Sequence, residues 1–352
     1  MSEAQAVAPT TLESMRAAPL PPLARFRGRD FVTDQAYTRD ELLDLIKLAI
    51  ELKSLRGRKR LTPFLPGYHL GMLFDDPSTR TRVSFETGMS ELGGHAVYLR
   101  PGEMHLPGRE SVADTARALS QFLDALMART KTLAVLQELA DAATIPVING
   151  ETGDYDHPIQ SLSDAMTIIE AGGLLEGATM AFLGNGDCMC DSVALTFSRL
   201  GMNVNVATPA HFPFPDAVRK AVEDNCQAWG TRLIVSDQPE EAVATADYVY
   251  TSLWWWEESP EYVAEIRSKN HRFQVNGELW AKTKPGARFM HCLPAVRGDE
   301  VTDDVIDGSA SMVWAMAANR KHLQKAVVLA LIGVDELPGN HDLQPIGRAL
   351  LS

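Results

Sequence analysis

From residue 40 onward the chain alternates stretches of helical period with short, almost wholly apolar runs, and that alternation leaves few folds open. The apolar runs are HLGMLF (69–74), HAVYL (95–99), ALMAR (125–129), IPVIN (145–149), TMAFLG (179–184), NVNVAT (203–208), RLIVS (232–236), YVYTSL (248–253) and RFMHCL (288–293). Strands with no polar alternation cannot keep one face in water, so they read as parallel strands covered by helices on both sides. The expected fold class is α/β, with two parallel-sheet domains. HPIQSLSDAMTIIEAGG reads as a long helix stopped by paired glycines, the natural boundary between the halves. The expected organisation is a flexible tail over 1–24, a first domain over 25–160 and a second over 161–319. A last helix, from about Arg320 to Gly333, is expected to pack back on the first domain within a segment 320–345, although periodicity leaves either domain open.

A chain of 352 residues suits two domains. Its formal net charge of -13 disfavours nucleic acid and anionic lipid as partners. No apolar run is long enough to span a bilayer, so no membrane partner is expected. The N-terminal stretch lacks a basic segment leading into an apolar one, which reads as a cytoplasmic protein. Cys188, Cys190, Cys226 and Cys292 include one C-x-C pair and no second pair at zinc spacing, so no metal is expected.

Four segments could carry chemistry. DDPSTRTRVSFE (75–86) follows a strand and opens a helix, offering hydroxyls from Ser78, Thr79 and Thr81, guanidiniums from Arg80 and Arg82, and free backbone N–H groups. This is either an anion cradle or a capped helix with solvated arginines; its place at a strand's carboxyl end favours phosphate. DHPIQ (156–160) sets His157 and Gln160 on one face of a first helical turn, as site residues or as a structural cap. Arg129 closes ALMAR, at a strand's carboxyl end or simply on the surface. MHCLPAVRGDEV (290–301) presents Cys292 before a turn, reactive or merely buried. GNG at 184–186 has Met189 where a dinucleotide loop needs its third glycine, so no nucleotide cofactor is expected.

Together, S-T-R-T at 78–81, H-P-x-Q at 157–160 and H-C-L-P at 291–294 resemble the aspartate/ornithine carbamoyltransferase family, in its order and spacing. E-S-V-A-D-T-A-R (110–117), F-Q-V-N (273–276) and E-V-T-D-D-V-I-D (300–307) resemble its ornithine branch, so the likeness runs from about residue 25 to 335. The resemblance implies a carbamoyl-phosphate-binding first domain, an amine-acceptor-binding second domain and an active-site cleft between them. It implies that Ser78, Thr79, Arg80 and Thr81 hold the phosphate, with His105 lent by a neighbouring subunit of a homotrimer with shared sites. Thr81, Arg129 and His157 would polarise the carbonyl oxygen, Gln160 and the carbonyl of Leu293 would hold the carbamoyl nitrogen, Cys292 would lie near the amine, and Arg320 would face the donor. Donors aimed at the tetrahedral oxyanion are worth roughly 3 kcal/mol each.

The acceptor side departs from the family pattern. Asp187 and Cys188 stand where two asparagines are usual, and the loop usually reading D-x-W-x-S-M-G is TSLWWWEE, with Ser252 for the aspartate, Trp256 for the serine and Glu257 for the methionine. Both clamps for an amino-acid head are absent from the pattern. The expected acceptor is therefore not plain ornithine but a diamine such as putrescine, or a masked or bulky amine, met by Asp187, Cys188, Ser252, Trp255, Trp256 and Glu257. The alternatives are ornithine carbamoyltransferase making citrulline and, in another class, a non-catalytic relative that uses the tryptophans as an interaction surface. Trp254, which matches the family's own tryptophan, is expected in the core.

Overall fold

The computed structural model describes residues 10–20, 22–59, 62–100, 102, 104, 108–256 and 259–333. Strands form wherever the apolar runs lie: β1 (His69–Phe74), β2 (His95–Leu99), β3 (Ala125–Thr130), β4 (Val147–Thr152), β5 (Thr179–Leu183), β6 (Asn203–Ala207), β7 (Leu233–Ser236), β8 (Tyr248–Thr251) and β9 (Arg288–His291). They make a parallel sheet in the order β2-β1-β3-β4 and another in the order β7-β6-β5-β8-β9. The two-sheet α/β architecture is the one expected. In each sheet the strand order reverses once, between β1 and β3 and between β5 and β8, which opens the crevice where ligands of such sheets bind.

The chain divides into two compact units, one holding Glu13–Met166 with the chain from Asn319, the other Thr167–Ala318 with the chain before Glu13. The three divisions fall inside helices, Leu12–Ala17, Pro158–Glu170 and Val313–Ile332. The terminal helix thus rejoins the first unit from Asn319 onward, and it starts at Val313 rather than near Arg320. Its first turns mix exposed Trp314 with buried Met316 among alanines, which blurs the apolar period.

Two other expectations change. β4 begins after Pro146, whose missing N–H leaves only its carbonyl to accept from Leu126 N (2.9 Å), and it runs on to Thr152 instead of ending at Asn149. Part of the expected flexible tail carries structure: Leu12–Ala17 is helical with Met15 buried, and Lys47 Nζ donates to the Ala18 carbonyl.

Helix entries follow local chemistry. Thr38 and Glu41 form a capping box, and Ser111 and Thr132 accept from Asp114 N and Val135 N. At the turn after β5, a Cβ on Gly186 would sit 2.2 Å from the Pro213 carbonyl oxygen and 2.5 Å from its carbon. Gly186 N donates to the Phe212 carbonyl (2.9 Å), so the glycine serves close backbone approach.

In the first unit, helix Thr79–Glu91 is tied to the terminal helix by ions. Glu91 accepts from Lys321 Nζ (2.6 Å) and Lys325 Nζ (2.9 Å), and the Lys325 side chain is fully buried. Burial alone would raise the Glu91 carboxyl, but the two lysines outweigh it and hold it down at about 2. Burial in turn holds the Lys325 ammonium below the usual lysine range despite Glu91, which returns part of the gain.

Replacing Glu91 with Gln removes a carboxylate that is depressed on folding and leaves Lys325 buried without its counter-ion, at a cost of about 3 kcal/mol at pH 7. The carboxylate's contribution is present above its unfolded value near 4.5 and lost as pH falls toward 2, so urea unfolding should show the gap between native and variant narrowing below pH 4.5. Gly186→Ala forces backbone against backbone and should lower the urea midpoint by the equivalent of about 2–3 kcal/mol.

Candidate active site

In the first unit the β1/β3 crevice gathers cations. Helix Thr79–Glu91 starts just past β1 with Ser78 as its N-cap, whose Oγ accepts from Thr81 N (3.4 Å) and donates to Thr81 Oγ1 (3.0 Å). Thr81 is fully buried, and Arg320 from the terminal helix donates to its Oγ1 (2.5 Å). The same Arg320 Nη2 lies 2.5 Å from His157 Nε2. A guanidinium can only donate, so Nε2 accepts and the imidazole proton sits on Nδ1, which is buried and has no partner among the described residues. Burial pushes His157 well below the ordinary histidine range, and Arg320, Arg129 and Arg80 push it further. His157 is therefore neutral, a hydrogen-bond donor beside three permanent cations.

Gln160, one helical turn on, donates from Nε2 to Asp164 Oδ1 (2.9 Å), while its buried Oε1 has no partner among the described residues. That oxygen suits a ligand N–H. Ser78, Arg80, Thr81, Arg129, His157, Gln160 and Arg320 thus belong to one unit, and three guanidiniums, helix N–H groups and a free amide oxygen suit a dianion that carries an amide. Thr79 is the first residue of the helix, and His105 lies outside the described residues.

One residue here escaped the sequence reading. The β3–β4 register shifts between Ala128 and Arg129, so that Glu151 stands opposite Arg129 and Gly150 is the extra residue of a bulge. Glu151 has φ 140°, a conformation that costs a non-glycine residue roughly 1–3 kcal/mol, and its N–H is held by Asn149 Oδ1 (2.8 Å). Its carboxylate pairs directly with Arg129 Nη1 and lies 3.6 Å from His157 Nε2. Only the positive φ and the bulge mark Glu151; in sequence it is one acid in NGETGD.

In the second unit the β5/β8 crevice receives the loops at 184–188 and 252–256. Asp187 caps helix Cys188–Arg199, accepting from Met189 N (3.1 Å) and Cys190 N (3.3 Å), and Cys188 is buried at the helix start. Neither stands free to meet a cationic acceptor, as had been expected of Asp187. Asn185 Nδ2 donates to the Trp254 carbonyl (2.7 Å), and Asn270 Nδ2 supports Asn185 Oδ1 (2.8 Å). Trp254 is 2% exposed and packs in the unit's core, whereas Trp256 is 57% exposed. Trp255 is half-buried, its Nε1 donating to Asp299 Oδ2 (2.8 Å), which Arg267 also holds. Ser252 is buried with no partner for its Oγ among the described residues, and Glu257 lies outside them.

The loop after β9 carries Cys292, partly exposed, and Leu293 at φ 60°. Leu293 N donates to His291 Nδ1 (2.8 Å), so that ring's proton is on Nε2, facing Glu300 Oε1 (3.2 Å), which also accepts from Val296 N (2.7 Å). A buried His–Glu pair thereby fixes the backbone that follows Cys292.

Comparison with known proteins gives the family. Residues 29–170 match the family model for the aspartate/ornithine carbamoyltransferase carbamoyl-P binding domain, and residues 176–331 match its Asp/Orn binding domain. The ornithine carbamoyltransferase of Anoxybacillus flavithermus is 43% identical over 312 residues, covering 88% of this chain and 98% of that relative. That of Carboxydothermus hydrogenoformans is 42% identical over 311 residues, covering 88% and 100%. The solved ornithine carbamoyltransferase from Pyrococcus furiosus superposes with a TM-score of 0.85 at 42% identity, covering 88% of this chain and 98% of that one. The chain belongs to the aspartate/ornithine carbamoyltransferase family and is a carbamoyltransferase.

Proposed function

We propose that this enzyme moves the carbamoyl group from carbamoyl phosphate to the side-chain amine of ornithine, releasing phosphate and citrulline. The donor half rests on one observation, a neutral His157 among Arg80, Arg129 and Arg320 beside the N-terminus of helix Thr79–Glu91. The acceptor half is supported by relatives named ornithine carbamoyltransferase at 42–43% identity across nearly their whole length.

In this reading the phosphate lies on Ser78, Thr79, Thr81 and Arg80, while Arg129 and His157 donate to the carbonyl oxygen. A neutral amine attacks the carbonyl carbon and the negative charge moves to that oxygen. Fixed donors stabilise it by roughly 3 kcal/mol each, because they need no reorganisation when the charge arrives. The C–O bond to phosphate then breaks, and the departing phosphate takes the amine proton. Gln160 Oε1, buried and unpartnered among the described residues, receives a carbamoyl N–H. The enzyme acts as a homotrimer in which His105 serves a neighbouring site.

A second reading, a primary amine other than ornithine, is favoured by Ser252, whose buried hydroxyl stands where the family carries an aspartate, and by exposed Trp256. The engaged carboxylate of Asp187 weakens its diamine form.

Steady-state phosphate release with carbamoyl phosphate and a panel of ornithine, putrescine, lysine and aromatic amines decides the acceptor. Ornithine is expected to give the highest kcat/KM, and a better acceptor by tenfold or more establishes the second reading. Arg80→Ala should lower kcat/KM by about 10²–10³, as loss of one fixed charge-stabilising donor does. Trp256→Ala should change the acceptor KM while leaving the carbamoyl phosphate KM within about twofold. Mixing inactive Arg80→Ala and His105→Ala proteins after subunit exchange should restore part of the activity if sites are shared.

A further inference from the structure

A donor site for a dianion holds a carboxylate of its own. Glu151 reaches Arg129 from the adjacent strand, both side chains are mostly buried at 13% and 14% exposure, and its oxygen lies 3.6 Å from His157 Nε2. A negative charge at that place repels the ligand the cations would attract, so its presence calls for a role. The backbone has been bent to put it there: the bulge at Gly150 sets Glu151 opposite Arg129, and the positive φ is held by Asn149. A carboxylate on Arg129 occupies the guanidinium that the donor's carbonyl oxygen would use.

We infer that Glu151 is an internal placeholder anion, which pairs with Arg129 while the site is empty and is displaced when carbamoyl phosphate binds. The inference rests on the donor-site reading of Arg129. Displacement has two consequences. It weakens donor binding by the fraction of time the pair is closed. It also uncovers a carboxylate in the site at the moment the amine, an ammonium ion in solution, must enter.

The test is calorimetric binding of inorganic phosphate and of carbamoyl phosphate to the full-length protein and to Glu151→Gln, which keeps size and hydrogen bonding but removes the charge. If the pair closes Arg129 nine-tenths of the time, Glu151→Gln binds carbamoyl phosphate about tenfold tighter, while inorganic phosphate, which has no carbonyl oxygen to reach Arg129, changes by less than about twofold. Made in an Arg129→Met background, the same substitution should tighten binding less than in the parent, because only the through-space repulsion is left to remove. Equal or weaker binding by Glu151→Gln with normal binding by the parent protein overturns the placeholder but leaves the donor site standing. Equal tightening in both backgrounds also overturns it, since that is the effect of net charge alone. Failure of every form to bind either anion overturns the donor-site reading with it. Urea unfolding confirms that each variant is folded, and Glu151→Ala serves as the second variant, expected to tighten binding in the same direction.

Discussion

Crowding guanidiniums into a largely buried crevice is the costly act on which the first unit depends. At an effective dielectric near 20, two like charges a few ångströms apart repel by about 4 kcal/mol. The surroundings answer that repulsion one group at a time. His157 stays neutral, so no imidazolium joins the cluster. Thr81 turns an acceptor lone pair toward Arg320, and Glu151 supplies one opposing charge to Arg129. Arg320 arrives on a helix whose next turns carry Lys321 and Lys325, and Glu91 anchors those lysines to the helix that presents Thr81. One element therefore delivers a site cation and, a turn later, the ion pairs that fix where that cation can reach.

The second unit is built on a different balance. Its crevice is organised by neutral amides and aromatic packing: Asn270 holds Asn185, Asn185 holds the Trp254 carbonyl, and Trp254 fills the core. Burial of an aromatic side chain of that size is worth about 3–5 kcal/mol against truncation to alanine.

Much of this was legible in sequence because parallel strands covered by helices write themselves as apolar runs, and even the half-exposed edge strands β2 and β7 did so. β4 was misplaced by the very residue that starts it, since Pro146 looks like part of an apolar run but cannot join the ladder as a donor. The early turns of the terminal helix hid behind Trp314, an apolar residue facing water. The helix-start motifs were visible as patterns, S-T-R-T and H-P-x-Q, because a capped helix start asks for particular residue types. Asp187 misled because a carboxylate before a helix is equally a ligand and a cap, and only the hydrogen bonds to Met189 and Cys190 tell them apart. Glu151 was invisible for a deeper reason: its importance comes from a shift of register, and register is a property of two strands at once.

The support of the β8 loop has a consequence for how such an enzyme can change. The amide that fixes the loop grips a main-chain carbonyl, and Trp254 roots the loop in the core with Trp255 packed against its edge. Trp256, by contrast, contributes little burial. Under the proposed acceptor role of this loop, heritable variation at Trp256 alters which amine is met while folding selects hardly against it. The architecture then separates what must persist from what is free to be rewritten, so that a change of substrate there leaves a folded enzyme behind.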